Sequence, residues 1–81
     1  MDNKRNDPRQ RVLKSARIVF AGGDFTVDCT LRNLSQTGAQ LQVPTSVTIP
    51  DKFTLIDTQT KTRHEVVVQW RKGDRIGVRF V

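Results

Sequence analysis

FTVDCTLRNLSQTGAQLQV, residues 25–43, is the stretch of sequence that decides the fold. Apolar side chains occupy alternate positions over residues 25–31, and the alternation resumes over residues 39–43. A period of two is typical of β-strands with one buried face. Between the two runs lies a polar segment, residues 33–38. The pattern therefore predicts a strand, a long polar turn that can hold a polar ligand, and a second strand.

Four further runs outside this stretch show strand patterning. The first, residues 16–20, ends at Gly22, Gly23 and Asp24, a hairpin signal that makes the first two strands antiparallel neighbours. The others are residues 53–56, 66–71 and 76–80. No window has the spacing of an amphipathic helix. Because closure removes exposed strand edges and encloses one apolar set, the prediction is an all-β protein, a small six-stranded antiparallel β-barrel.

Length and charge define the domain organisation. A chain of 81 residues has room for one domain. Residues 1–12 lack periodicity, so we expect a flexible basic N-terminal arm there and a single barrel domain over residues 13–81. Residues 1–17 hold six basic and two acidic side chains, which is most of the net charge of +6. This distribution favours an anionic partner, with a basic tail that merely aids solubility as the alternative.

Catalytic, metal and membrane functions are poorly supported by the sequence. Cys29 is the only cysteine and lies in an apolar run, so we expect it in the core. His64 is the only histidine, and without a second spaced ligand we expect it at the surface, with no metal. Ser35 lacks the flanking glycines of a catalytic elbow, so we expect no enzyme. Neither a membrane span nor a signal peptide is visible, and we expect a cytoplasmic location.

Two short motifs resemble those of the PilZ domain family. Residues 5–9, RNDPR, fit RxxxR, and residues 33–38, NLSQTG, fit NxSxxG. The strand count and the Val-x-Trp pattern of residues 68–70 are also similar. That family is a six-stranded antiparallel β-barrel of bacterial signalling proteins that binds cyclic di-GMP. The resemblance implies a cyclic di-GMP receptor without a further cofactor, acting on an unidentified downstream protein.

The resemblance also implies roles for individual residues. Arg5 and Arg9 would contact guanine and phosphate, since a guanidinium matches the O6 and N7 acceptors of guanine. Asn33 would offer its carbonyl oxygen to donors of the other guanine; many relatives have aspartate here, a stronger acceptor. Ser35 would bond a phosphate or base edge, and Gly38 would permit close backbone approach. Possible secondary contacts are Lys4, Arg11 and Trp70.

Lys4 also bears on the number of bound nucleotides. In the family, the position before RxxxR influences whether one nucleotide or a stacked pair is held. A stacked pair concentrates phosphate charge that nearby cations must offset. With Lys4 adding to the charge of the arm, we expect two nucleotides per chain.

Several alternatives stay open at this point. Asn33, Ser35 and Gly38 also suit plain turn chemistry. Trp70 is in phase with Val66 and Val68, which predicts a core position, the alternative being a stacking surface at the barrel rim. A PilZ-like barrel that contacts only a protein is a second reading of function. A nucleic-acid binder is a third, but it needs exposed aromatics, and four are in phase with core positions: Phe20, Phe25, Phe53 and Phe80.

Overall fold

The computed structural model describes residues 10–81, with side chains from residue 13 onward. Its strands are β1 (Gln10–Phe20), β2 (Phe25–Leu34), β3 (Gly38–Gln42), β4 (Lys52–Asp57), β5 (Arg63–Lys72) and β6 (Arg75–Phe80). They form a closed barrel in the order β1-β2-β3-β6-β5-β4, and every neighbouring pair is antiparallel. The predicted all-β, six-stranded antiparallel barrel is confirmed. Over the range described, no helix is long and apolar enough to cross a membrane.

The hairpin between β1 and β2 is confirmed and closes through a short 3-10 turn, Ala21–Gly23. Gly22 and Gly23 have φ angles of 68° and 95°, a left-handed region that glycine enters without steric cost. β1 begins at Gln10, so it includes residues that the sequence assigned to the arm. The remainder of that arm, residues 1–9, lies outside the described residues.

Two pairings between strands distant in sequence complete the barrel. β3 pairs with β6 over five positions, from Gly38 opposite Arg79 to Gln42 opposite Arg75. β1 pairs with β4 over four positions and closes the ring. These pairings place parts of β2, β3, β6 and β5 side by side on one outer face, where the groove described below lies.

The barrel interior is filled by apolar side chains from all six strands. Ile18, Leu41 and Val66 are the largest that are almost completely buried. Cys29 is also buried, which confirms its predicted place in the core. Ile49, from the connection between β3 and β4, adds to this core. Among residues 13–81, the buried apolar residues are Ala16, Ile18, Cys29, Leu31, Leu41, Val43, Ile49, Phe53, Leu55, Val66, Ile76 and Val78.

Phe25 and His64 differ from the sequence prediction. Phe25 is 59% exposed rather than in the core, because it begins β2 at the hairpin end of the barrel. Its ring stacks on that of Phe20, with ring centroids 5.5 Å apart. His64 lies within β5 and is half-buried rather than on the surface. Its ring stacks on Phe80 at a centroid distance of 4.6 Å, so it covers part of the core.

The polar turn between β2 and β3 is shorter than the sequence predicts. β2 continues through Asn33 and Leu34, and β3 already begins at Gly38. The pairing of β2 with β3 shifts between Leu31 and Asn33, which marks a β-bulge at Arg32. Asn33 is therefore a strand residue with a fixed cross-strand neighbour, and only residues 35–37 connect the two strands.

Candidate functional site

A row of four residues crosses four strands on the outside of the barrel. Asn33 on β2 stands opposite Gln40 on β3, and Gln40 stands opposite Gly77 on β6. Gly77 in turn stands opposite Trp70 on β5. Because neighbouring strands lie ~4.8 Å apart, the row spans about 14 Å. β1 extends it at one end, where the backbone of Arg11 pairs with that of Asn33.

A groove of about 350 Å³ lies over this row. Four residues singled out by the sequence, Asn33, Ser35, Gly38 and Trp70, all contribute to its lining. The sequence motif and the aromatic residue are thus brought together although they lie on different hairpins. Lys4, Arg5 and Arg9, which the resemblance also implies, lie outside the described residues.

Trp70 lies on the outside of the barrel, which corrects the prediction of a core position. Extending the alternation from Val66 and Val68 points Trp70 inward, but the register of β5 against β6 shifts between Val68 and Trp70. This β-bulge adds Gln69, so the side chain after it faces outward. Trp70 is 44% exposed as a result. Its position agrees with the other sequence reading, a stacking surface.

The indole of Trp70 rests against the backbone of Gly77. A Cβ atom built on Gly77 would overlap the indole Nε1 and Cε2 atoms and would lie 2.7 Å from Cδ1. No side chain other than hydrogen leaves room for the ring in this position. The floor of the groove beside Trp70 is therefore bare backbone.

Asn33 and Gln40 join their side-chain amides on the same surface. Asn33 Nδ2 donates a hydrogen bond to Gln40 Oε1. Asn33 Oδ1, the acceptor to which the resemblance assigns a role, has no hydrogen-bond partner within residues 13–81. With respect to residues 13–81, one acceptor and one donor group of this pair therefore remain for a ligand.

The hydroxyl of Ser35 is engaged in closing the turn between β2 and β3. Ser35 Oγ accepts hydrogen bonds from the backbone N–H of Gly38 at 3.2 Å and of Thr37 at 3.3 Å. It also donates to the carbonyl oxygen of Gly38 at 3.2 Å. This is the plain turn chemistry that the sequence left open. A ligand contact by Ser35 would have to replace one of these bonds.

Gly38 allows β3 and β6 to approach each other closely. A Cβ at this position would overlap the carbonyl oxygen of Val78 and lie 3.2 Å from its carbonyl carbon. The space that the glycine leaves is thus occupied by the backbone of the neighbouring strand. Close approach of a ligand to Gly38 stays a prediction.

Arg79 brings positive charge to the groove. Its side chain is exposed, and no carboxylate within residues 13–81 lies within ion-pair distance of it. By contrast, Arg17 is paired with Asp28 at 3.2 Å and Arg71 with Asp51 at 2.7 Å. A guanidinium at a groove wall with no carboxylate partner in this part of the chain favours an anion with two acceptor oxygens, such as a phosphate.

Two groups with shifted pKa values lie away from the groove. Burial raises the pKa of the Cys29 thiol to about 12, and the charge of Asp28 adds to this, so the thiol stays protonated. Burial alone would raise the pKa of Asp57, but hydrogen bonds from Lys14 and the backbone N–H groups of Gln59 and Thr60 hold it below its ordinary value. Within the described residues no cluster of three metal-ligating side chains occurs.

Among the groove residues that sequence reasoning missed are Gln40, Gly77 and Arg79. They lie on β3 and β6, and the pairing of these strands brings them to the motif. The alternation does place Gln40 and Arg79 on the polar face of their strands. That signal would have found them only if the partner strands had been known.

The fold and the groove define a class of protein, a small closed antiparallel barrel that presents a polar surface groove with one exposed aromatic side chain. The model of the PilZ domain family matches residues 3–81, so the chain belongs to this family. PilZ domains are known as receptors for cyclic di-GMP. None of the curated proteins compared with the chain matches it.

Proposed function

We propose that this PilZ domain binds cyclic di-GMP and passes the signal to a downstream protein in the cytoplasm. The observation that carries the proposal is the meeting of Asn33, Trp70 and Arg79 in one groove. A cyclic dinucleotide presents flat bases, polar base edges and two phosphates. It therefore needs a stacking surface, hydrogen-bonding groups and a cation within reach of one another, and this groove offers all three.

In this proposal the exposed indole of Trp70 stacks on a guanine base. Stacking of a base on an aromatic side chain contributes about 1 to 3 kcal/mol. Asn33 Oδ1 accepts from the donors of a guanine edge, and Arg79 faces a phosphate. Ser35 closes the turn between β2 and β3, and Gly38 lets β3 and β6 pack closely. Both residues contact the ligand from the positions that these structural roles give them.

The arginines of the RxxxR motif complete the proposed site. The backbone of Arg11 stands opposite Asn33 at the edge of the groove. Two residues span at most about 7 Å of chain, so the proposal needs the backbone of Arg9 no further than this from that of Arg11. Arg5 and Arg9 read a guanine and a phosphate with their guanidinium groups. Lys4 and Arg11 add secondary contacts with the phosphates.

Exposure of Trp70 and Phe25 also makes single-stranded nucleic acid a candidate ligand. Binding of a strand relies on several aromatics along one track, each stacking a base. Phe25 begins β2, and Asn33 lies eight residues further along the same strand, about 25 Å away. The groove thus has one aromatic side chain within reach of a ligand. This arrangement fits one cyclic dinucleotide better than a strand.

Isothermal titration calorimetry of the full chain with cyclic di-GMP tests the proposal. We expect binding with a Kd in the micromolar range or tighter, with the nucleotide recovered unchanged. GMP and a single-stranded oligonucleotide serve as controls for a mononucleotide and for nucleic acid. Absence of binding heat with cyclic di-GMP at high micromolar concentration would overturn the proposal and favour a barrel that contacts only a protein.

Substitutions separate the proposed contacts. Arg9→Ala removes a bidentate contact and should weaken binding about tenfold to hundredfold. Ser35→Ala removes neutral hydrogen bonds and should cost about twofold to tenfold. Arg63→Ala removes the same charge as Arg9→Ala from an exposed position on β5 that does not line the groove. Arg63→Ala should leave the affinity for cyclic di-GMP almost unchanged. A loss of affinity equal to that of Arg9→Ala would attribute both effects to net charge alone.

A further inference from the structure

The amide pair of Asn33 and Gln40 has an unusual hydrogen-bonding capacity. Each side-chain amide carries one acceptor oxygen and one donor nitrogen. The bond from Asn33 Nδ2 to Gln40 Oε1 leaves Asn33 Oδ1 as an acceptor and Gln40 Nε2 as a donor, neither with a partner among residues 13–81. If both amides turn over, the bond is preserved and the free groups become Asn33 Nδ2 and Gln40 Oε1. The pair can therefore present its donor at either end.

The Watson–Crick edges of the two purines differ in the order of their groups. Guanine offers the O6 acceptor followed by N1 and N2 donors, whereas adenine offers the N6 donor followed by the N1 acceptor. One donor beside one acceptor suits guanine in one orientation of the pair and adenine in the other. Stacking on Trp70 does not distinguish the two bases, since both present a purine ring.

A carboxylate at position 33 would remove this freedom. An aspartate accepts only, so Gln40 would have to donate to it, leaving a carboxylate oxygen and Gln40 Oε1 free. Both free groups are then acceptors. They suit the two neighbouring donors of guanine and face the N1 acceptor of adenine with a negative charge.

We propose that the Asn33–Gln40 pair accepts adenine as well as guanine, so that the groove binds a mixed cyclic dinucleotide, one guanine and one adenine, nearly as well as cyclic di-GMP. The inference rests on the proposed function of the groove and extends its ligand class. The second base is guanine in both ligands, and both ligands carry the same two phosphates.

Calorimetric titration of the full chain with both cyclic dinucleotides tests the inference. In the unaltered chain the two Kd values should lie within about tenfold of each other, the range of a neutral hydrogen bond gained or lost. Asn33→Asp should widen the preference for cyclic di-GMP by about tenfold to hundredfold. Gln40→Glu, on β3, also makes both free groups of the pair acceptors. It should likewise widen the preference for cyclic di-GMP.

Gln36→Glu is the matched control for added negative charge. Gln36 is exposed in the turn between β2 and β3 and does not line the groove. Glutamate there should weaken binding of both nucleotides alike and leave their ratio unchanged. Circular dichroism of each variant checks that the barrel is folded.

The outcomes separate this inference from the proposed function. A preference for cyclic di-GMP above about a hundredfold in the unaltered chain, unchanged in both carboxylate variants, overturns the inference and leaves the proposed function standing. If neither cyclic dinucleotide binds the folded chain, the proposed function fails and the inference fails with it. If the ratio of the two Kd values changes as much in Gln36→Glu as in the variants of Asn33 and Gln40, the effect is one of charge. That result also overturns the inference.

Discussion

Gly77→Ala should move the only tryptophan of the chain and destabilise the barrel. The new methyl group would occupy the space of the indole Nε1 and Cε2 atoms of Trp70. Carbon atoms in contact lie about 3.5 to 4.0 Å apart, so the ring must shift by more than ~1 Å. Because Trp70 is already 44% exposed, it can do so by swinging towards solvent.

The structure allows an estimate of the cost. A tryptophan buries about 150 to 250 Å² when fully covered, so a half-covered Trp70 keeps roughly 100 Å² in contact with the barrel. At about 25 cal/mol per Å², loss of that contact costs about 2.5 kcal/mol. Alanine in place of glycine within a strand raises the free energy of unfolding by about 0.5 to 1 kcal/mol. The net loss of unfolding free energy should be about 1.5 to 2 kcal/mol.

A double-mutant cycle gives the decisive measurement. The three atoms nearest to the added Cβ all belong to Trp70, so in a Trp70→Ala background Gly77→Ala should stabilise by about 0.5 to 1 kcal/mol. Urea unfolding followed by circular dichroism measures all four variants. In the single variant, the Trp70 fluorescence should also shift to longer wavelength and become easier to quench. Equal destabilisation in both backgrounds, or unchanged fluorescence, would refute the contact between Trp70 and Gly77 as the cause.

Three further predictions concern other parts of the chain. Since burial keeps the pKa of Cys29 at about 12, a thiol reagent should label Cys29 at neutral pH only as fast as the barrel opens, and immediately in denaturant; fast labelling of the native chain would contradict this. The pKa of Asp57 is lowered on folding, so its stabilisation is present above its ordinary pKa of about 3.9 and is lost as the pH falls through the folded value. Asp57→Asn should therefore reduce the fall in unfolding free energy between neutral pH and about pH 2, as measured by urea titrations at a series of pH values, and an unaltered slope would count against it. Native mass spectrometry should find two cyclic di-GMP molecules per chain and one for Lys4→Leu; a ratio of two in both chains would show that Lys4 does not set the number.

The sequence predicts the strands well because their signal is local. Alternation of apolar residues identifies all six strands and places Cys29 in the core, since each side chain's face follows from its neighbours two positions away. A β-bulge breaks this rule without leaving a mark in the pattern. The extra residue Gln69 reverses the phase of β5, which is why Trp70 is exposed although alternation predicts the opposite.

The groove is predicted only where its residues are contiguous in the chain. Asn33, Ser35 and Gly38 belong to one short motif, and the sequence groups them without knowledge of the fold. Gln40 also lies nearby, but its bond to Asn33 depends on the bulge that sets the register of β2 against β3. Arg79 reaches the motif through a pairing between strands that no local pattern specifies.

The construction of the groove from two separate hairpins has a kinetic consequence. β2–β3 and β5–β6 meet along the pairing of β3 with β6, whose partners range from Gln42 and Arg75 to Gly38 and Arg79. Such non-local pairings raise the contact order and are typical of barrels that fold in milliseconds to seconds. A chain that has formed one hairpin holds only half of the groove. A ligand that bridges both hairpins should therefore slow unfolding and hardly accelerate folding.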